Sequence, residues 1–143
     1  MEGKVNVSVA SRSTFGGVDD TLRFGGSGTI ERTDYGWHLT YEAKNAEDGS
    51  AINSDVKIET ANRRAVLINE SSDGGYGMLL DPKTPTATQI KSDGGALTLN
   101  VVTREVSYDL GRKKDGSITL DYTLLVGMQP MSSLRVHIEL TKE

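Results

Sequence analysis

At 143 residues the chain is long enough for one domain, 1–143, that buries roughly two thirds of the surface its unfolded form would expose, so a core can form without cross-links. The lack of cysteine excludes disulfides and thiolate metal sites and agrees with a reducing cytoplasm. A formal net charge of -4 argues against a nucleic-acid backbone as partner, and no apolar stretch approaches the ~20 residues of a membrane-spanning helix, so no membrane partner is expected either.

The start, Met1-Glu2-Gly3-Lys4-Val5-Asn6-Val7, alternates at once, so no signal peptide is expected and the first strand is set at 4 to 10, with Val5, Val7 and Val9 on one face. Residues 11 to 20, with Gly16-Gly17, read as a long loop. A strand over 21 to 33 follows, in which Phe24, Gly26, Gly28 and Ile30 share a face; two glycines inside a strand mark a bend or a close backbone approach. Segment 35 to 44 places Trp37, Leu39, Tyr41 and Ala43 together, and strands at 51 to 60, 64 to 71, 75 to 81 and 85 to 92 come next.

Segment 95 to 110 changes parity at Val101-Val102, the mark of a bulge or a split strand. The clearest alternation is at 117 to 126, where Ile118, Leu120, Tyr122, Leu124 and Val126 face one way. It is answered at 133 to 141 by Leu134, Val136, Ile138 and Leu140, with Gly127-Met128-Gln129-Pro130 as the connecting turn. No segment has helical periodicity.

Four Asp-Gly pairs, Asp48-Gly49, Asp73-Gly74, Asp93-Gly94 and Asp115-Gly116, punctuate these strands, because glycine accepts positive φ and aspartate tolerates the neighbouring tight turn. Ten short strands with short connections predict an all-β fold: a single antiparallel up-and-down meander closed into a lipocalin- or calycin-like barrel of about 8–10 strands. Closure removes the unpaired edges. In such a meander the pairs at 48, 73 and 93 lie at one end and the pair at 115 at the other.

Candidate chemistry is sparse. His38 and His137 fall on wet faces, the Asp-Gly turns lack the spaced oxygen ligands of a calcium loop, and Gly25-Gly26-Ser27-Gly28 lacks the lysine of a phosphate loop. Arg112-Lys113-Lys114 and Arg63-Arg64 read as solvated turns. Glu42, Asp55 and Glu59 are placed to meet neighbours across a sheet. No catalytic residue, metal ligand or cofactor site is assigned, and the expectation is a non-enzymatic protein.

The inward aromatics Phe24, Trp37, Tyr41, Tyr108 and Tyr122 either fill the core or, in a barrel of this size, line a room for one small, partly apolar molecule. A protein-interaction or structural module using an outer sheet face or the barrel rim is the alternative, with Val18, Leu125, Met128 and Met131 as its candidate apolar contacts. Composition leaves the oligomeric state open.

Gly36-Trp37-His38-Leu39-Thr40-Tyr41-Glu42, Val56-Lys57-Ile58, the run from Gly95-Ala96-Leu97 to Val102-Thr103, and Leu120-Asp121-Tyr122-Thr123-Leu124 occur in an order and spacing that resembles the YwiB-like family of small, uncharacterised bacterial β-barrel proteins. The chain departs from that family at Asn69-Glu70-Ser71-Ser72, where the family has an Arg-x-Gly. The resemblance implies a calycin-like barrel in the cytoplasm and supplies no activity.

Overall fold

The computed structural model describes residues 1–72, 74–92 and 95–143 and contains ten antiparallel strands. They are β1 (Gly3–Phe15), β2 (Val18–Arg32), β3 (Gly36–Asn45), β4 (Ala51–Glu59), β5 (Arg64–Ser71), β6 (Gly74–Leu80), β7 (Thr86–Ser92), β8 (Gly95–Asp109), β9 (Asp115–Val126) and β10 (Gln129–Lys142). One sheet orders them β6-β5-β4-β3-β2-β1-β10-β9-β8-β7. First and last strands pair, Val5 opposite Lys142 through Thr14 opposite Ser133, so the meander rolls into a barrel whose seam lies between β6 and β7. Among the described residues no backbone ladder crosses the seam. Side chains bridge it instead: Thr86 Oγ1 donates to the Leu79 carbonyl at 2.6 Å and Thr88 Oγ1 donates to that of Gly77.

Alternation supplies the core. Val5, Val7 and Val9 of β1, Leu39 and Tyr41 of β3, Val56 and Ile58 of β4, Leu120 and Tyr122 of β9, and Ile138 and Leu140 of β10 all point inward and are buried. On β2 the inward positions after Phe24 are glycines because β3 comes too close for a side chain. A Cβ on Gly26 would lie 2.0 Å from the Glu42 carbonyl oxygen, and one on Gly28 2.2 Å from that of Thr40. The close backbone approach expected from the two glycines is therefore present on β2.

Four expectations change in detail. Residues 11 to 20 are not a loop: β1 runs on to Phe15 and β2 begins at Val18, joined by a two-residue turn with Gly16 at φ 57° and Gly17 at φ 82°. This hairpin stands beyond the core, so its serines and threonines are held by ladder bonds with water on both faces and show no apolar alternation. Likewise Gln129 and Pro130 already pair with Val126 and Leu125, which leaves Gly127-Met128 as the turn. Pro130 is tolerated because β1 no longer reaches it.

The parity switch in β8 comes after Val101, which is buried, and after inward Thr103; the extra residue is Arg104, between Thr103 opposite Tyr122 and Glu105 opposite Asp121. Asp115-Gly116 opens β9 and is not itself the turn. The reversal is made at 111–114, where Arg112 contacts Asp109 at 2.5 Å and Asp115 at 3.4 Å. Asp48-Gly49 does sit in a turn, with Gly49 at φ 73° and the Asp48 carboxylate accepting from the Ser50 amide at 2.8 Å. Asp73 and Asp93-Gly94 lie outside the described residues.

Because strands alternate in direction, the connections at 16–17, 46–50 and 127–128 share one end of the barrel, and those at 33–35, 60–63, 81–85 and 110–114 share the other. The two ends differ inside.

Candidate functional site

At the end that carries the 16–17 turn the interior is incompletely filled. A cavity of about 240 Å3 lies there, walled by Val9, Leu22 and Phe24 on one side and by Ile52, Leu67, Leu134 and Val136 on others. Taking about 30 Å3 per liquid water, it has room for about eight waters or one small organic molecule. The opposite half of the barrel is filled by Ile30, Trp37, Ile58, Leu80, Leu110 and Leu140.

Besides Ser11 of β1 and Glu70 and Ser71 at the rim, four polar side chains reach this apolar space. Tyr41 of β3, Asn69 of β5, Tyr76 of β6 and Tyr122 of β9 line the cavity. Buried Ser54 of β4 stands behind them, its hydroxyl donating to Asn69 Oδ1, while Asn69 Nδ2 donates to the Tyr76 hydroxyl oxygen at 2.8 Å. Tyr41 of β3 stands beside Ser54. Three strands thus contribute to one hydrogen-bonded chain, Ser54–Asn69–Tyr76, with Tyr41 next to its Ser54 end.

Tyr122 stands apart from the chain: its hydroxyl has no hydrogen-bond partner among the described residues, although the residue is only 1% exposed. Burial pushes its phenol far above the usual range, and the neighbouring Tyr76 and Tyr41 oppose ionisation further. Tyr41, 4% exposed, is raised for the same reason, partly offset by the neighbouring Ser54 hydroxyl. Both are neutral donors throughout the physiological range.

Of the five aromatics named from the sequence, Phe24, Tyr41 and Tyr122 line the cavity and Trp37 and Tyr108 do not. All five share the inward parity, but Trp37 and Tyr108 sit at the filled end. Trp37 is packed in the core under the guanidinium of Arg32, 5.6 Å from the ring centroid, and Tyr108 packs against the core opposite Ile118. Sequence reasoning passed over Tyr76, Asn69 and Ser54. Their signal was parity: Tyr76 shares a face with Met78 and Leu80, Asn69 with Leu67, and Ser54 with Val56 and Ile58. The segment Asn69-Glu70-Ser71, where the chain departs from the Arg-x-Gly pattern, forms part of the cavity wall.

Other polar groups are engaged structurally. His38 Nε2 lies 2.6 Å from Asp55 Oδ1 and 3.3 Å from Thr40 Oγ1, and Thr40 donates to the same Asp55 oxygen at 2.9 Å. A proton relay needs the imidazole to bond base and nucleophile through different nitrogens, so this outer-face cluster does not form one. Partial burial tends to raise the Asp55 carboxyl, and bonds from His38 and Thr40 outweigh that and hold it below the usual range. His137 meets Thr119 at 2.9 Å and Glu139 at 3.3 Å. Buried Asp81 caps the 81–85 turn by accepting from the Lys83 amide at 2.9 Å. Arg64 contacts Glu59 at 2.6 Å, which secures the turn between β4 and β5.

The family model described as "Domain of unknown function (DUF1934)" matches residues 7–138. No curated protein matches the chain. Among solved structures, the crystal structure of the ywiB protein from Bacillus subtilis superposes with a TM-score of 0.79 at 18% identity, covering 99% of this chain and 93% of that one. That likeness extends over the whole barrel and agrees with the YwiB-like resemblance carried by the short motifs. No helix is long and apolar enough to cross a membrane.

Proposed function

We propose that this chain, which belongs to the DUF1934 family of domains of unknown function, binds a small, partly apolar molecule inside its barrel without chemical conversion. The supporting observation is the 240 Å3 apolar cavity with one cluster of tyrosine hydroxyls at its wall. Apolar walls supply affinity at about 25 cal/mol per Å2 of surface removed from water, and a few polar groups fix orientation. The cavity lies below the ~300 Å3 at which drug-sized sites begin, so the ligand has few heavy atoms. Among the described residues no nucleophile–base pair faces it, which favours binding over catalysis.

Ligand-observed NMR with a panel of six- to nine-atom cyclic compounds tests the reading. Val136→Phe, which projects a ring into the cavity, should abolish binding while the protein stays folded. Compounds that bind the variant as well as the parent, or a panel with no binder, would contradict it.

A second reading, a protein-interaction module, draws on the two hairpin tips at the open end. Phe15 is 62% exposed, Val18 68% and Met128 95%. Leu125 and Met131, expected from the sequence together with Val18 and Met128, are half-buried. Replacing Phe15, Val18 and Met128 by serine should leave small-molecule binding intact and remove any partner that co-purifies with the parent protein.

A further inference from the structure

The arrangement of protons around the cavity points to the class of ligand, an inference that rests on the small-molecule reading above. Along the chain Ser54–Asn69–Tyr76 each link uses one proton. With Ser54 donating to Asn69 and Asn69 to Tyr76, the Tyr76 oxygen accepts and its own proton has no assigned acceptor in the chain. Turning the Asn69 amide over commits the Tyr76 proton to Asn69 and leaves Tyr41, beside Ser54, as the uncommitted phenol, so either polarity leaves a phenolic donor. The Tyr122 hydroxyl adds a second, since it has no partner among the described residues. At least two phenolic O–H donors therefore face the cavity.

We infer that the cavity takes a small neutral molecule whose carbonyl oxygen accepts hydrogen bonds from Tyr122 and from the other uncommitted phenol, with its hydrocarbon body against Val9, Phe24, Leu134 and Val136. A carbonyl fits because its oxygen has two lone pairs and brings no proton that would need a further acceptor. A carboxylate would give up hydration without meeting a cation. Among the described residues no lysine, arginine or histidine lines the cavity, and the one charged lining residue is Glu70 at the exposed rim.

The test compares cyclohexanone, methylcyclohexane, cyclohexanecarboxylate and cyclohexylamine by ligand-observed NMR and competition, on the parent protein, Tyr122→Phe and Val136→Phe. Cyclohexanone should bind the parent roughly tenfold more tightly than methylcyclohexane, from a net contribution of about 1 kcal/mol or more for donors that would otherwise stay unpaired. Tyr122→Phe should remove most of that preference while leaving methylcyclohexane affinity unchanged within about twofold. Carboxylate or amine binding as tight as the ketone would overturn the assignment. Equal affinity for ketone and hydrocarbon, both lost in Val136→Phe, would also overturn it while the apolar-ligand reading survives. Binding by none of the four would sink both.

Discussion

Raising the pH through the tyrosine range probes the cavity wall without any ligand. An unfolded tyrosine loses its proton near pH 10, whereas Tyr41 and Tyr122 are held protonated in the fold by burial. A group whose folded pKa is raised contributes stability that is complete below the unfolded pKa and declines as pH rises past it. Well above pH 10 the native state retains the Tyr122 proton that the unfolded state lacks. From that residue alone stability should fall by about 1.4 kcal/mol per pH unit and by about 2 kcal/mol at pH 11.5, with Tyr41 adding to the loss in the same direction. Urea unfolding at stepped pH measures the slope, and absorbance at 295 nm counts tyrosinates in the native protein. Of five tyrosines, Tyr122 should ionise only on unfolding, and Tyr122→Phe should remove about 1.4 kcal/mol per pH unit from the alkaline slope. If all five ionised together near pH 10 with the barrel still folded, or if Tyr122→Phe left the slope unchanged, the burial of the Tyr122 phenol would be refuted.

Three further perturbations address the frame that holds the site. Gly28→Ala should destabilise by about 1–3 kcal/mol as the Thr40 backbone is forced away, whereas Gly25→Ala, with nothing within 4 Å of the new Cβ, should change urea stability by less than about 0.5 kcal/mol. Thr88→Val should strand the Gly77 carbonyl at the seam, cost about 1–3 kcal/mol, and accelerate amide hydrogen exchange in β6 and β7 ahead of β9 and β10. Leu120→Ala, at a fully buried core position, should cost about 2–5 kcal/mol in urea unfolding.

Strand alternation made the architecture legible. Each of the ten elements lies where the period-2 segments place it, because an inward valine or leucine every second residue is the condition for a barrel core. The misplaced boundaries cluster at the two hairpins that outrun the core, 11–18 and 127–132. There backbone pairing alone sustains the strands, and nothing selects apolar side chains. At the site, parity identified the inward face and so gave Phe24, Tyr41 and Tyr122, but it carries no height along the barrel axis. Trp37 and Tyr108 share that face and sit at the filled end. Tyr76, Asn69 and Ser54 escape a parity reading because polar residues on an apolar parity read as exceptions to the core, when together they form a hydrogen-bonded chain at the cavity wall. The His38–Asp55 contact was hidden for a different reason, since it joins diagonal positions of β3 and β4 whose register only the fold supplies.

The central claim, that the barrel interior is a binding site, is tested most directly by amide correlation NMR during a titration with cyclohexanone. A ligand of this size should bind with an affinity on the order of 0.1–1 mM, within reach of the method. Saturable shifts concentrated at Tyr41, Asn69, Tyr76, Tyr122 and Leu134, and absent in Val136→Phe, are the predicted result. Shifts that never saturate, or that map to the exposed hairpin tips around Phe15 and Met128, would contradict it.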